Sequence, residues 1–396
     1  MPQPFCKHHV GTAALGCPLE RSSAALQAAP PSALLPLLFY NAQVKTWDVI
    51  IIGGGIISLS LAIALRKRGA TVLVVERGEP GREASHAAGG MLVDCPLETK
   101  PALQTLAAAS ARMYPEFAYE LEIDSGMKVD LRDQGTILFP PAEHLLQAQA
   151  SGFLPATLTE LAPALAENNS QRPAFYLKER SVDPRALSAA AWKTAKHRSV
   201  DFSSGDEVMA VTVTDGRASG VKTNRTAFHA AKVVNCAGAW AGQIPPHNFP
   251  TRPVKGQMLC LLMPSHTILK HVVRSPEAYL IPRSDGRLLV GATVEEAGFD
   301  KRTDLATIQR LHHAALALVP ELRNAKILED WAGLRPGTPD ALPLLGATTT
   351  PGYYVATGHF RDGILLAPIT AEVIAAVIEG RTPEFDLTGF SPARFH

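Results

Sequence analysis

The chain has 396 residues, which is enough for two domains that each bury a hydrophobic core. Hydrophobic residues make up 46% of it and charged residues 19%, as in ordinary soluble globular proteins. The formal net charge of +1 at pH 7 gives no electrostatic reason to expect a nucleic acid or an anionic membrane as a partner. No apolar run approaches about 18 residues, so the sequence predicts no transmembrane helix.

The first 45 residues differ in composition from the rest of the chain. They are rich in Ala, Pro and Ser, carry few charges, and contain an apolar stretch that Pro36 interrupts. A signal peptide needs an uninterrupted apolar core followed by a cleavage site of small residues. We therefore predict a disordered extension over 1–45, with a targeting segment as the alternative.

The five cysteines are scattered, and no Cys/His cluster has the spacing of a metal site. In a chain of this size a disulfide framework is not expected, so we predict reduced thiols in a cytoplasmic protein and no bound metal. The cysteines are Cys6, Cys17, Cys95, Cys236 and Cys260.

A strand–turn–helix–strand unit begins at Asp48. The β-branched run 49–52 predicts a strand buried on both faces of a parallel sheet, and a helical pattern follows over 56–68. A second strand is predicted over 71–75, and Glu76 closes it.

The turn Gly-Gly-Gly-Ile-Ile-Ser nearly matches the GxGxxG dinucleotide fingerprint, with Ser58 at the third glycine position. Gly53 permits the tight turn, and Gly55 lets the backbone approach a pyrophosphate at the helix N-terminus. Seventeen residues separate Ser58 from Glu76, whose carboxylate is then placed to bind ribose hydroxyls. The predicted nucleotide site on this unit is Gly53, Gly55, Ile56, Ile57, Ser58, Glu76 and Arg77. The motif alone fits both NAD and FAD.

Later patterns predict a helix, a hairpin, an antiparallel region and a final helix. These lie over 183–197, over 207–214 with 218–223, over 250–295, and over 364–379.

From residue 46 to about 390 the chain resembles the glycine oxidase and D-amino acid oxidase family of FAD enzymes. The matching segments are 48–76, ASHAAGGML at 84–92, PVKG at 253–256, 279–293, WAGLRPGT at 331–338 and GHFRDGILLAP at 358–368. The last two resemble glycine oxidase more than other members of the family.

The resemblance implies an α/β fold with a Rossmann-type FAD-binding domain and a parallel sheet, plus a second α+β substrate domain with a large antiparallel sheet. The expected FAD-binding domain comprises 46–108, 180–245 and 353–396. The expected substrate domain comprises 109–179 and 246–352. FAD is expected to be bound non-covalently.

By the same resemblance, the segment around Ala84–Met91 wraps the flavin and pyrophosphate, Val208 contacts the adenine side, and residues 359–365 line the pyrimidine edge of the flavin. The final helix then aims its N-terminus at the ring, where it would stabilise negative charge on the reduced flavin by ~0.5–2 kcal/mol. The implied residues are Ala84, Ser85, Gly89, Gly90, Met91, Val208, His359, Phe360, Arg361, Asp362, Gly363, Ile364 and Leu365.

Amino-acid oxidation requires mainly that the substrate be oriented, because the flavin supplies the redox chemistry. A guanidinium binds a carboxylate through two parallel hydrogen bonds, which makes Arg335 the first candidate. The resemblance gives the arginine of GLRPGT this role, gives Tyr279 a hydroxyl contact to the same carboxylate, and places Arg361 between substrate and flavin.

The activity implied is oxidative deamination of glycine and other small amines, by hydride transfer from the α-carbon to flavin N5. The products would be an imine or 2-oxo acid, ammonia and hydrogen peroxide, with a role in building the thiamin thiazole. Sarcosine and small D-amino acids such as D-alanine and D-proline are further candidate substrates. Molecular oxygen is the expected acceptor, and a homo-oligomer, a tetramer as in related glycine oxidases, is the expected assembly.

Several alternatives stay open at this point. A D-amino acid dehydrogenase would pass electrons to a quinone and associate with a membrane. A sarcosine oxidase-like enzyme remains possible only without covalent flavin, because no cysteine follows Cys260. A catalytically silent FAD-binding assembly factor would have little reason to keep Arg335 and Tyr279 facing the flavin. An NAD-dependent dehydrogenase would not explain the segments at 84–91 and 358–363.

Overall fold

The computed structural model of the protein describes residues 45–395. The extension predicted at 1–45 therefore lies outside the described residues, apart from Lys45. Within the described range the strands are, in chain order, β1 (Thr46–Ile52), β2 (Val72–Glu76), β3 (Met91–Leu92), β4 (Thr136–Leu138), β5 (Leu154–Pro155), β6 (Phe175–Leu177), β7 (Arg180–Ser181), β8 (Asp201–Ser204), β9 (Val208–Thr214), β10 (Arg217–Thr223), β11 (Ala227–Asn235), β12 (Arg252–Leu262), β13 (Val272–Arg274), β14 (Tyr279–Pro282), β15 (Arg287–Gly291), β16 (Lys326–Gly337), β17 (Leu344–Ala347) and β18 (Tyr353–Thr357).

The α-helices in the same range include long ones that pack on a sheet and short ones that connect strands. They are α1 (Ile56–Lys67), α2 (Ala84–Ala87), α3 (Gln104–Ser125), α4 (Leu145–Ala150), α5 (Leu158–Leu161), α6 (Pro163–Asn169), α7 (Pro184–His197), α8 (Leu305–Leu318) and α9 (Gly363–Ile378).

One eight-stranded sheet, here called the parallel sheet, has the order β17-β18-β11-β1-β2-β8, with β10 paired to β11 and β9 paired to β10. The pairs β1–β2, β1–β11, β11–β18 and β2–β8 are parallel. The predicted Rossmann-type strand–turn–helix–strand unit is confirmed, with boundaries within one to three residues of those expected at 49–52, 56–68 and 71–75.

A second eight-stranded sheet, here called the antiparallel sheet, has the order β16-β12-β15-β14-β13-β4-β6-β5. Its longest pairing joins β12 to β16, from Arg252 opposite Gly337 to Leu262 opposite Lys326. The predicted fold class is confirmed, with one mostly parallel sheet and a second sheet that is antiparallel except at the β4–β13 pair. The domain boundaries stay a prediction. Strand β17, which lies within the expected substrate-domain segment 246–352, pairs with β18 in the parallel sheet.

The parallel sheet forms the middle of three layers because β1 alternates its side chains between two cores. Val49 and Ile51 pack among residues of α1, α3, α7 and α9. Ile50 and Ile52 pack on the opposite face against the β9–β10 hairpin. All four side chains are almost fully buried, as expected for a strand covered on both faces.

Helix α9 contains a proline that its neighbours compensate. Pro368 has no N–H, so the carbonyl of Ile364, four residues earlier, loses its partner within the helix. The hydroxyl of Tyr114, on α3, donates to that carbonyl, and Ser110 Oγ donates to the carbonyl of Leu365 at 2.6 Å. Helix α3 therefore fixes the first turn of α9 by side-chain hydrogen bonds.

Two further sequence expectations concern membranes and cysteines. No helix within residues 45–395 combines the length and apolar character needed to cross a membrane. Cys95, Cys236 and Cys260 are free and buried. Cys6 and Cys17 lie outside the described residues.

Tyr114→Phe tests the compensation of Pro368. The substitution keeps the ring but leaves the buried Ile364 carbonyl without a donor, so we expect the free energy of unfolding to fall by about 1–3 kcal/mol. Tyr119→Phe on the same helix is the control, because Tyr119 is 61% exposed. Urea unfolding of the two variants measures the effect. Equal stability of both variants would contradict it.

Candidate active site

A cavity of about 480 Å³ lies between the two sheets. One wall comes from the parallel sheet, at the turn after β1 and the segment that contains α2. The other wall comes from β12, β14 and β16 of the antiparallel sheet, and the start of α9 closes one end. Ligands of open α/β sheets bind at this place, beyond the carboxyl ends of the parallel strands.

The turn after β1 requires glycine for two reasons. Gly53 has φ +94°, and a Cβ there would lie 2.7 Å from the Cys236 carbonyl oxygen of the neighbouring strand. Gly55 is the N-cap of α1 and provides no side-chain cap. The Ile56 N–H donates to Ser85 Oγ at 2.9 Å. The N-terminus of α1 thus faces the cavity, as a pyrophosphate site requires.

Glu76 is buried at the end of β2, and both of its carboxylate oxygens accept backbone hydrogen bonds. The Gly54 N–H donates to one oxygen at 2.6 Å and the Gly78 N–H to the other at 2.8 Å. A carboxylate has about four acceptor positions, so each oxygen retains one for a ligand hydroxyl. The carboxylate is therefore fixed in place and lines the cavity.

Two side chains of the antiparallel sheet hold the segment 84–91 against the cavity. Trp331 Nε1 donates to the Ala87 carbonyl at 3.1 Å, and Arg283 Nη2 donates to the Gly89 carbonyl at 2.6 Å. Burial lowers the pKa of Arg283 to about 10. At Gly333 on β16, any side chain would overlap the Ala87 methyl group. Small residues on both sides permit this close approach.

Arg335 lies on β16, opposite Val254 of β12, and its side chain crosses the backbone of Gly256. Its Nη1 donates to the carbonyls of Lys255 at 3.2 Å and Thr293 at 3.0 Å. Among residues 45–395, no carboxylate pairs with this guanidinium. Arg335 therefore brings an unneutralised positive charge, held by backbone carbonyls, to the cavity wall.

Tyr279 begins β14 and also lines the cavity. Its hydroxyl lies 3.5 Å from Met258 Sδ, and a thioether is only a weak hydrogen-bond acceptor. Its ring lies close to Gly291 and Gly89, where added side chains would meet it. The hydroxyl thus has donor capacity left for a ligand in the cavity.

The start of α9 presents three groups of different character. His359 is buried, its Nε2 lies 3.1 Å from Thr370 Oγ1, and burial lowers its pKa to about 3, so its ring is neutral. Burial raises the pKa of Asp362 to about 6, against the opposing charge of Arg361. The Arg361 side chain is exposed at the cavity wall.

The structure brings together most residues that the sequence predicts for the site. All three proposed substrate contacts line the cavity, as do the predicted cofactor contacts other than Ser58 and Leu365. Those two side chains are buried in the core. The residues on the wall are Arg335, Tyr279, Arg361, Gly53, Gly55, Ile56, Ile57, Glu76, Arg77, Ala84, Ser85, Gly89, Gly90, Met91, Val208, His359, Phe360, Asp362, Gly363 and Ile364. Their individual roles remain predictions.

Other residues on the wall were not predicted from the sequence. Gly256 lies beside Arg335, Met258 lies beside Tyr279, and Trp240 follows β11. Gly256 belongs to the PVKG segment at 253–256, which resembles the family. Trp240 reaches the cavity because β11 pairs with β1 in parallel, which places the end of β11 beside the glycine turn.

Three features of the cavity wall fit the nucleotide part of FAD. Gly53 makes a tight turn at positive φ, Gly55 carries no side chain at the start of α1, and Glu76 holds a fixed carboxylate. The cavity continues from this nucleotide end past 84–91 to the start of α9, as an extended dinucleotide requires.

Comparison with known proteins agrees with this geometry. A family model described as FAD dependent oxidoreductase matches residues 48–377. The bifunctional protein ThiO/ThiG of Trichormus variabilis is 35% identical over 365 residues, which are 88% of this chain and 55% of that protein. Three of the relatives are such bifunctional proteins, and this chain spans about half of their length, 53–55%.

Relatives of similar length also match. The glycine oxidase of Pseudomonas aeruginosa is 32% identical over 363 residues, covering 87% of this chain and 98% of that protein. The crystal structure of glycine oxidase from Geobacillus kaustophilus superposes with a TM-score of 0.82 at 31% identity, covering 88% of this chain and 99% of that one.

Asp362→Asn tests the burial of the carboxyl group at the start of α9. The folded protein holds the Asp362 proton more tightly than the unfolded chain, where the pKa is 3.8. The free energy of unfolding therefore falls as the pH rises from about 4 to about 6, because the buried carboxyl group must ionise. Above about pH 6 the decrease is complete and stays constant. Asparagine cannot ionise, so the stability gain of the variant over wild type should be larger at about pH 7.5 than at about pH 5, by on the order of 1 kcal/mol.

Thermal unfolding at the two pH values measures this gain. Asp386→Asn is the control, because hydrogen bonds from Thr388 lower the pKa of that exposed carboxyl group. A gain for Asp362→Asn that does not grow with pH would contradict the assignment.

Proposed function

The chain belongs to the FAD dependent oxidoreductase family, and from this we propose that it is an FAD-dependent amino acid oxidase that oxidises glycine and other small amines. The relatives named glycine oxidase, which match over nearly their whole length, support this choice of substrate.

The absence of a carboxylate partner for Arg335 among residues 45–395 is the observation that supports a substrate with a carboxylate group. A buried or half-buried arginine usually has a carboxylate partner, because an unpaired charge is costly away from water. Arg335 has two backbone carbonyls and no carboxylate partner among residues 45–395. The carboxylate of an amino acid completes this environment and receives charge-assisted hydrogen bonds from the guanidinium.

The neighbouring groups orient the substrate. Tyr279 donates its hydroxyl to the same carboxylate, since Met258 Sδ competes only weakly for it. Two contacts on one carboxylate fix its plane and direct the α-carbon toward the face of the cofactor. FAD, when bound, supplies the two-electron oxidation of the C–N bond. The backbone N–H groups at the start of α9 place the positive end of the helix dipole at the cavity. His359 beside them is neutral and adds no charge.

The amine is oxidised to an imine, which water hydrolyses to the 2-oxo acid and ammonia, and molecular oxygen accepts the two electrons to form hydrogen peroxide. The relatives that join ThiO to ThiG support a role in forming the thiamin thiazole. A cytoplasmic location and a homo-oligomeric assembly, a tetramer, complete the proposal.

Arg335→Ala tests the substrate contact. Loss of charge-assisted hydrogen bonds should lower kcat/KM for glycine about 10- to 100-fold, mainly through a higher KM, while FAD stays bound. Hydrogen peroxide formation over a range of glycine concentrations measures this, and flavin absorbance of the purified variant reports bound FAD.

Arg323→Ala is the matched control, because Arg323 is exposed and its side chain donates to the Pro320 carbonyl, away from the cavity. Unchanged glycine kinetics in Arg335→Ala would remove Arg335 from the site. Wild-type protein that retains FAD but forms no peroxide with glycine would overturn the oxidase itself.

A further inference from the structure

The connection between β15 and α8 leaves the antiparallel sheet and returns to it. Near its start, Glu295 and Lys255 exchange two backbone hydrogen bonds of 2.9 Å. At its end, the Asp304 N–H donates to Gln257 Oε1 at 2.7 Å. Lys255 and Gln257 both lie on β12, so both ends of the connection are held at this strand. The residues between the two ends project away from the strand and contact another element.

The tip contacts the parallel-sheet side of the cavity through an aromatic stack. The Phe299 and Trp240 ring centroids are 5.1 Å apart, with their planes tilted by 31°. The guanidinium carbon of Arg77 lies 3.7 Å from the centroid of the same indole. Phe299 is 41% exposed, so its ring covers Trp240 from the solvent side.

The tip also makes an ionic contact with the same region. Lys301 Nζ lies 3.1 Å from the Glu83 carboxylate, and Arg77 Nη2 lies 3.0 Å from it. Arg77, Glu83 and Trp240 line the cavity, whereas Phe299 and Lys301 stand behind them. We call these five residues the clasp.

The clasp crosses the nucleotide half of the cavity. Arg77 follows β2 and Trp240 follows β11, and β1 lies between these two strands in the sheet. Neighbouring strands are about 4.8 Å apart, so the Arg77–Trp240 contact spans a gap of roughly 10 Å beyond the carboxyl end of β1. The glycine turn that receives the pyrophosphate lies at that end.

We propose that Phe299 and Lys301 are positioning residues that hold Trp240, Arg77 and Glu83 around the adenosine and pyrophosphate half of FAD and so retain the cofactor. Release of FAD then requires the tip of the 292–304 connection to leave Trp240 and Glu83. The inference depends on FAD binding alone, and not on which amine the enzyme oxidises.

Lys301→Glu tests the ionic contact without removing any buried group. The new carboxylate faces Glu83, so we expect the Kd for FAD to rise about three- to tenfold and the rate of FAD release to rise with it. Arg302→Glu is the matched control, since it makes the same charge change one residue away, on a side chain that is 88% exposed and pairs with Asp300. Quenching of FAD fluorescence by the apoprotein gives Kd, and recovery of fluorescence after dilution gives the release rate.

Phe299→Ala tests the aromatic stack, with a similar expected rise of about three- to tenfold. Leu305→Ala is its control, because Leu305, the first residue of α8 after this connection, is 72% exposed. The probes ADP and FMN separate the two halves of the cofactor. Both clasp variants should weaken ADP binding and leave FMN binding within twofold of wild type.

Two results would overturn the proposal. One is Lys301→Glu binding FAD and ADP as the Arg302→Glu control does. The other is either clasp variant weakening FMN as much as ADP, which would place the effect outside the nucleotide half. If Phe299→Ala fails to fold, Lys301→Glu alone decides the question. Oxidase activity with glycine is not needed for any of these readouts.

Discussion

The guanidinium of Arg335 lies directly on the backbone of Gly256, and the proposed binding of a substrate carboxylate depends on this contact. The absence of a Cβ at Gly256 gives the guanidinium its space, and the carbonyls of Lys255 and Thr293 hold its Nη1. These carbonyls fix the side chain but do not neutralise its charge. A carboxylate arriving in the cavity therefore meets an oriented cation.

The opposite wall also depends on small residues, because two segments approach each other closely there. The segment 84–91 approaches β16 so closely that Gly333 faces the Ala87 methyl group, and Trp331 and Arg283 hold two of its carbonyls. The 292–304 connection joins the two ends of the cavity, since the Thr293 carbonyl binds Arg335 and the tip of the connection contacts Trp240. The two ends of the cavity thus share one structural element.

The sequence predicts best the features that are local in the chain. The glycine turn, α1, β2 and Glu76 follow one another within thirty residues, so their pattern and spacing are sufficient. Trp240, Met258 and Phe299 were not predicted, because their positions depend on contacts between segments far apart in sequence. Ser58 and Leu365 sit in motifs that line the cavity, yet helical geometry turns their side chains into the core. The resemblance to a known family located Arg335 and Tyr279, which spacing alone does not single out.

The most direct test of carboxylate anchoring uses a ligand that has the carboxylate of glycine but no amine to oxidise, such as glycolate. Its binding is measured by perturbation of the flavin absorption spectrum in the holoprotein. Saturable binding to wild type that weakens at least tenfold in Arg335→Ala is the expected result for two lost charge-assisted hydrogen bonds. Equal affinity in the two proteins would show that the carboxylate lies elsewhere.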